Sequence, residues 1–249
     1  MKYKVYGIVS FCLAFVVIAS SLWFTRSEKK ERYHQHLMAE PKAACSHSDD
    51  LFCTHLPLIQ IDTDGVVIPG RVYNEDYVHP TVTEDGKTEI ICDFQLTDNE
   101  KTNNHLTDSA TVKSQAYINV RGRSSRSFDK SGYAIRLVTP QGENNPQPLA
   151  NMDSHHEWVL HGPFLDKTLI RNYMWYNIAG EIMDYAPNVR FCEVIINGEY
   201  MGVYVLTESI TAGKNGSRLN PPPPPPPNSF TGYLLRMDSG STNPLNNID

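Results

Sequence analysis

Apolar and polar positions divide the chain into three kinds of segment. The first is a run without charge, GIVSFCLAFVVIASSLWF, residues 7–24, preceded by a basic flank at 1–6 with Lys2 and Lys4. Its eighteen positions reach the lower length of a membrane span and exceed a usual signal-peptide core, so it reads as a signal anchor, with a cleaved signal peptide as the alternative. Arg26, Lys29, Lys30 and Arg32 follow it, so positive charge flanks both ends and does not set the orientation. The second kind is polar and mixed in charge, residues 25–55, a stalk between membrane and domain. The third, residues 56–249, is built from short apolar alternations.

Those alternations predict strands. LPLIQIDTDG runs into an Asp-Gly turn, and TEIICDFQL covers Thr88–Leu96. SQAYINVRG, Ser114–Gly122, puts Ala116, Ile118 and Val120 on one face, and GYAIRLV, Gly132–Val138, does the same with Tyr133, Ile135 and Leu137. FLDKTLIRNYMWYNIAGEIM predicts the main helix. Asp166 is its candidate N-cap, Ile170, Met174, Ile178 and Ile182 with Leu169 and Tyr173 beside them form an apolar stripe, and Pro187 stops extension. VRFCEVIINGEYMGVYVLTESI predicts a hairpin about Asn197-Gly198, with Gly202 marking a bulge or a close backbone approach. Pro221–Pro227 must be extended polyproline, read as a surface insertion, and FTGYLLRMD predicts a further strand. Strands, one helix, then strands is an α+β order, mostly antiparallel sheet with one packed helix.

Charge sharpens one stretch. The formal net charge is −6 and the predicted isoelectric point is about 5.8, with no long basic stripe, which argues against a nucleic-acid partner. Yet RGRSSRSFDKS, residues 121–131, holds four cations and four serines. It joins two predicted strands as a long hairpin connection or β-arch, and suits either a phosphate cradle or a solvated turn. Outside the apolar run, Cys45, Cys53, Cys92 and Cys192 make an even number compatible with two disulfides, Cys45–Cys53 being the natural local pair. No Cys-x-x-Cys or Cys/His spacing points to structural zinc, and the adjacent His155 and His156 would point apart on a regular element.

INVRGRSSRSFDKSGYAIRL, WVLHGPFLDKTLIRNYMWYNIAGEIM, APNVRFCEVIINGEYMGVYVLTESI and TGYLLRMD occur in this order. Together they resemble the spore coat protein H (CotH) kinase family over roughly residues 56–238. The resemblance implies the N-terminal lobe of an atypical protein-kinase-like fold, ATP with Mg, and phosphorylation of protein Ser/Thr outside the cytoplasm by a membrane-anchored or secreted protein. It implies Lys130 as the ATP-phosphate lysine, with Arg121, Arg126, Ser124 and Ser125 as helpers and Glu208 on the adenine-side connection. Arg171 and Asn172 match family positions that would position the site or brace the helix. Glu181 would pair with Lys130 or stay exposed. Ser131 stands where family members commonly carry a second lysine. The family's catalytic aspartate and metal-binding Asp-x-Asp lie downstream of the Gly-Tyr-Leu-Leu strand. The expectation is therefore a chain holding the nucleotide lobe of a domain incomplete at its C-terminus, without catalytic residues or metal ligands, either a fragment of a longer protein or inactive alone. A cell-surface adhesion module is the alternative.

Overall fold

The structure is a computed structural model describing residues 32–38, 42–43, 45, 52–73, 79–183 and 185–210. The apolar run 7–24, the proline run 221–227 and the strand expected in FTGYLLRMD lie outside the described residues. Among the described residues no helix is long and apolar enough to cross a membrane. The chain divides into two compact units, residues 1–33 and 34–249, and among the described residues the strands belong to the second.

Seven strands close into a barrel. In chain order they are β2 (Leu58–Asp62), β3 (Ile90–Thr97), β5 (Val112–Arg121), β6 (Gly132–Val138), β7 (Glu157–His161), β8 (Val189–Ile196) and β9 (Glu199–Glu208). Around the barrel the order is β2-β3-β5-β6-β7-β9-β8. Every neighbouring pair is antiparallel except β2 with β8, which run parallel and close the ring, Leu58 opposite Glu193 and Ile61 opposite Ile196. Closure removes two sheet edges that the sequence pattern alone would leave open. A small separate sheet pairs β1 (Cys53–Thr54) with β4 (Asn104–His105).

The interior is what the period-two alternation requires. Ala116, Ile118 and Val120 of β5 and Tyr133, Ile135 and Leu137 of β6 all face the core, as the sequence predicts. Phe94, Trp158, Tyr204 and Leu206 fill its middle, and Leu149, Ala150 and Met152 plug one end. Arg190, 2 % exposed, reaches that plug from β8: its guanidinium donates to the carbonyls of Ala150 (3.0 Å) and Asn151 (3.3 Å).

The β8–β9 turn uses Asn197 (φ +52°) and Gly198 (φ +80°), the left-handed pair that a two-residue hairpin demands. Gly202 (φ +88°) sits at a register shift in β9, the predicted bulge.

The main helix, α2 (Arg171–Ile182), is shorter than its sequence pattern and begins five residues past Asp166. Asp166 still serves its start, accepting the Arg171 N–H (2.8 Å) from outside the first turn. Only the Tyr173 edge of the expected apolar stripe turns inward. Tyr173 and Asn177 are buried, and Tyr173 stacks on Phe191 of β8 at 4.3 Å beside Val189 and Val205. The aliphatic members of the stripe, Ile170, Met174, Ile178 and Ile182, face out at 39–78 % exposure. Flat aromatic surfaces on the barrel wall select the tyrosine face over the aliphatic one. Part of the stretch read as stalk also packs on the barrel: α1 (Gln35–Met38) sends the Gln35 amide to both backbone groups of Phe191 (2.7 and 3.1 Å).

Cys92 and Cys192 are buried in the barrel, where their thiols donate to the carbonyls of Ala116 and Tyr204, and neither is in a disulfide. His155 and His156 lie just before β7 rather than on it, and their rings stack at 5.4 Å instead of pointing apart.

Candidate functional site at the mouth and outer wall of the barrel

Residues 122–131 connect β5 to β6 as a long hairpin with one 3₁₀ turn, Ser124–Ser127, at its tip. The serines serve the loop itself in part: Ser127 Oγ donates to the Ser124 carbonyl (2.9 Å) and Ser131 Oγ to that of Phe128 (3.2 Å). Ser124 is exposed and Ser125 half-buried. Arg126 is turned back on the loop, its Nε donating to the Arg123 carbonyl at 3.4 Å. Phe128 stacks on Phe164 at 5.0 Å, clamping this connection to the one after β7.

Lys130 and Arg121 point to opposite sides of the barrel wall. The Lys130 ammonium turns inward at the mouth, donates to the Met201 carbonyl (2.8 Å) and lies 4.4 Å from the centre of the Tyr204 ring, a cation–π contact. Burial holds its pKa below the usual lysine value, against the attraction of the Cys192 and Glu193 side. Glu181 is not its partner; it is exposed and bonds His34 at 2.8 Å. Arg171 is also exposed and pairs with Asp166 rather than bracing the helix on the sheet.

Arg121 belongs to the outward series of β5. With Tyr117, Asn119, Ala134, Arg136 and Glu157 it lines a pocket of about 250 Å³ along the outer faces of β5, β6 and β7. Ser209, just after β9, borders the same pocket, and its N–H bonds the Glu157 carbonyl at 3.2 Å. Glu208 lies beside it, but its carboxylate is taken by Asn188, from the backbone N–H (2.8 Å) and the side-chain amide (3.2 Å). Arg136 donates to Glu89 (2.7 Å) and lies over the Tyr117 ring at 4.5 Å, which fixes the guanidinium in the wall. Next to Arg121, burial and then the Arg121 charge hold the His161 pKa below the usual imidazole range, opposed by Asp166. The result is a trough with Arg121 at the mouth end, Ala134 along its β6 side, and Arg136, Glu89, Glu157 and the backbone after β9 at the other end.

The profile of the CotH kinase protein family matches residues 118–246, more than half of the chain. This chain belongs to the CotH kinase family. No curated protein matches it significantly. The family match begins inside β5, so the cationic hairpin, the trough wall on β6 and β7, α2 and the β8–β9 hairpin all fall within it.

Of the residues that the resemblance singles out, Arg121 alone has its side chain in the trough. Lys130 is at the mouth but inside the barrel, Arg126 and the serines are on the hairpin tip, and Glu208 reaches the trough only through its chain neighbour. Arg136 and Tyr117 were the residues that sequence reasoning passed over. Their signal was present in the alternation: in GYAIRLV the buried Tyr133, Ile135 and Leu137 leave Ala134 and Arg136 on the opposite face.

Proposed function

We propose that this CotH kinase family member binds ATP in the outer trough of β5–β7, as the nucleotide lobe of a protein-kinase-like phosphotransferase acting on protein hydroxyls. One observation carries the reading: a single trough has a guanidinium at the barrel mouth and the backbone running on from β9 at its far end. A nucleotide needs cations for its phosphates and a flat apolar floor with backbone nearby for its base. Arg121 answers the first need, Ala134 and the segment at Ser209 the second. Lys130 shapes the mouth from inside.

Magnesium would be held by the nucleotide's own phosphates with one or two carboxylates. Among the described residues the only trio of candidate metal ligands within reach of one another is two cysteines and a histidine elsewhere on the domain, a soft set unsuited to Mg²⁺. No step of phosphoryl transfer is therefore derived through the metal. The uncharged run 7–24 supports a place at the membrane, and the side on which the domain lies, outside the cytoplasm, rests on the family resemblance alone.

The test is titration of the whole chain with a fluorescent ATP analogue. Arg121→Ala is expected to weaken binding about tenfold or more, the scale of one charge-assisted hydrogen bond. Ala134→Phe, which fills the floor, should abolish binding in protein whose circular dichroism is unchanged, and Glu208→Gln should have no effect. Wild-type affinity in both Arg121→Ala and Ala134→Phe removes the trough as the nucleotide site and leaves a non-catalytic surface-binding module as the better reading.

A further inference from the structure

A second constellation lies on the β1–β4 sheet, away from the trough. The register pairs Cys53 directly with His105 across the two strands. Cys45 comes alongside because Ala43 bridges Thr102 and donates its N–H to the Lys101 carbonyl (3.0 Å). The two sulfurs stand 3.7 Å apart, and one ligand atom from each of Cys45, Cys53 and His105 falls within 4.8 Å of the others.

We propose that Cys45, Cys53 and His105 form a binding site for a zinc-type divalent metal ion. Three features argue for it. The first is the sulfur separation. Two thiolates bound to one tetrahedral zinc at about 2.3 Å each must lie about 3.8 Å apart, close to what is seen, whereas a disulfide needs about 2.05 Å.

The second is the support around the histidine. Asp108 Oδ2 lies 3.2 Å from His105 Nδ1 and also accepts the His105 backbone N–H at 3.0 Å. That is the carboxylate–histidine arrangement that fixes a ring with its other nitrogen, Nε2, turned to a metal. Asp108 is held in turn by the Asn99 side chain (2.9 Å).

The third is the environment of the sulfurs. Asn103 Nδ2 donates to Cys53 Sγ (3.1 Å). Such donors are what thiolates on a metal require. The frame is tied to the barrel through Thr54, whose Oγ1 donates to Glu193 of β8 (3.2 Å), and Asn104 Nδ2 donates to the Leu56 carbonyl (2.7 Å) in the link from β1 to β2. Two thiolates and an imidazole prefer zinc over magnesium or calcium, and solvent completes the fourth position. A bound ion would clip the segment around Cys45 to the β3–β5 connection.

The whole chain, reduced and freed of metal, is titrated with Co²⁺ as a spectroscopic probe and then with Zn²⁺ in competition. One equivalent of Co²⁺ should bind with a thiolate-to-metal charge-transfer band and tetrahedral visible absorption, and Zn²⁺ should displace it. Cys53→Ser and His105→Ala should lose the band. Asp108→Asn, which leaves all three ligands in place, should weaken binding about ten- to a hundredfold. Each variant is checked for wild-type circular dichroism, and Asp108→Asn keeps the test decisive if a ligand variant fails to fold. Absence of the charge-transfer band in folded, reduced protein overturns the site. So does protection of both Cys45 and Cys53 from alkylation as a disulfide in protein isolated from its native compartment.

Discussion

At the scale of single residues, Lys130 and Gly202 meet at the bulge of β9. A Cβ added at Gly202 would lie 2.8 Å from the Lys130 ammonium, and Gly202 already has φ +88°. The glycine therefore does two things at once. It permits the left-handed turn of the bulge, and it leaves room for the ammonium to reach the Met201 carbonyl. Gly202→Ala should destabilise the domain by about 1–2 kcal/mol, chiefly from the backbone conformation, since the ammonium ends a flexible side chain and can move aside at the cost of its bond to the Met201 carbonyl. Combining it with Lys130→Met separates the two causes, because shortening the reach of the side chain removes the collision but not the strain. In urea unfolding the double variant should fall short of the sum of the singles by about 0.5 kcal/mol or more. Strict additivity would mean that the ammonium is not held at the bulge.

At the scale of elements, strands were far more legible than the helix. Each strand from β5 to β9 except β7 is marked in the sequence by alternation or by a turn pair such as Asn197-Gly198, and alternation reports directly which face is inside. The helix has no such guarantee. Its aliphatic stripe is real as a pattern, yet the barrel wall offers Phe191, Val189 and Val205, and Tyr173 fits them by stacking. Nothing in the helix sequence encodes the surface it meets. The cysteine–histidine cluster was hidden for a related reason: Cys53 and His105 are neighbours only through β1–β4 pairing, and strands of two residues leave no periodicity to read. The helix assignment is checked by paired substitutions. Tyr173→Ala should cost about 3 kcal/mol or more, as truncation of a buried aromatic does. Ile182→Ser on the outer face should stay within about 0.5 kcal/mol of wild type in the same urea titration. The reverse order of effects would put the aliphatic stripe against the domain and the tyrosine outside.

At the scale of the whole molecule, closure governs behaviour. The parallel β2–β8 seam joins the first barrel strand to one near the end of the described domain, so no strand can leave without opening the ring. Such non-local pairing makes folding slow and unfolding cooperative. It also bears on the trough, whose floor on β6 and walls on β5 and β7 keep their spacing only while the ring is shut. Two tryptophans in the described domain allow this to be measured. Trp158 is 1 % exposed inside the barrel and donates to the His155 carbonyl at 2.9 Å, whereas Trp175 is 62 % exposed on α2. In a Trp175→Phe variant, fluorescence from the domain comes from the barrel core, and its emission should be blue-shifted in the native state. Its urea transition should coincide with that of the far-ultraviolet circular dichroism. A fluorescence midpoint below the circular dichroism midpoint would mean that the core hydrates while the strands persist, as an open sheet would allow and a closed barrel does not. In that case the trough could not be a preformed site, and nucleotide would have to order it on binding.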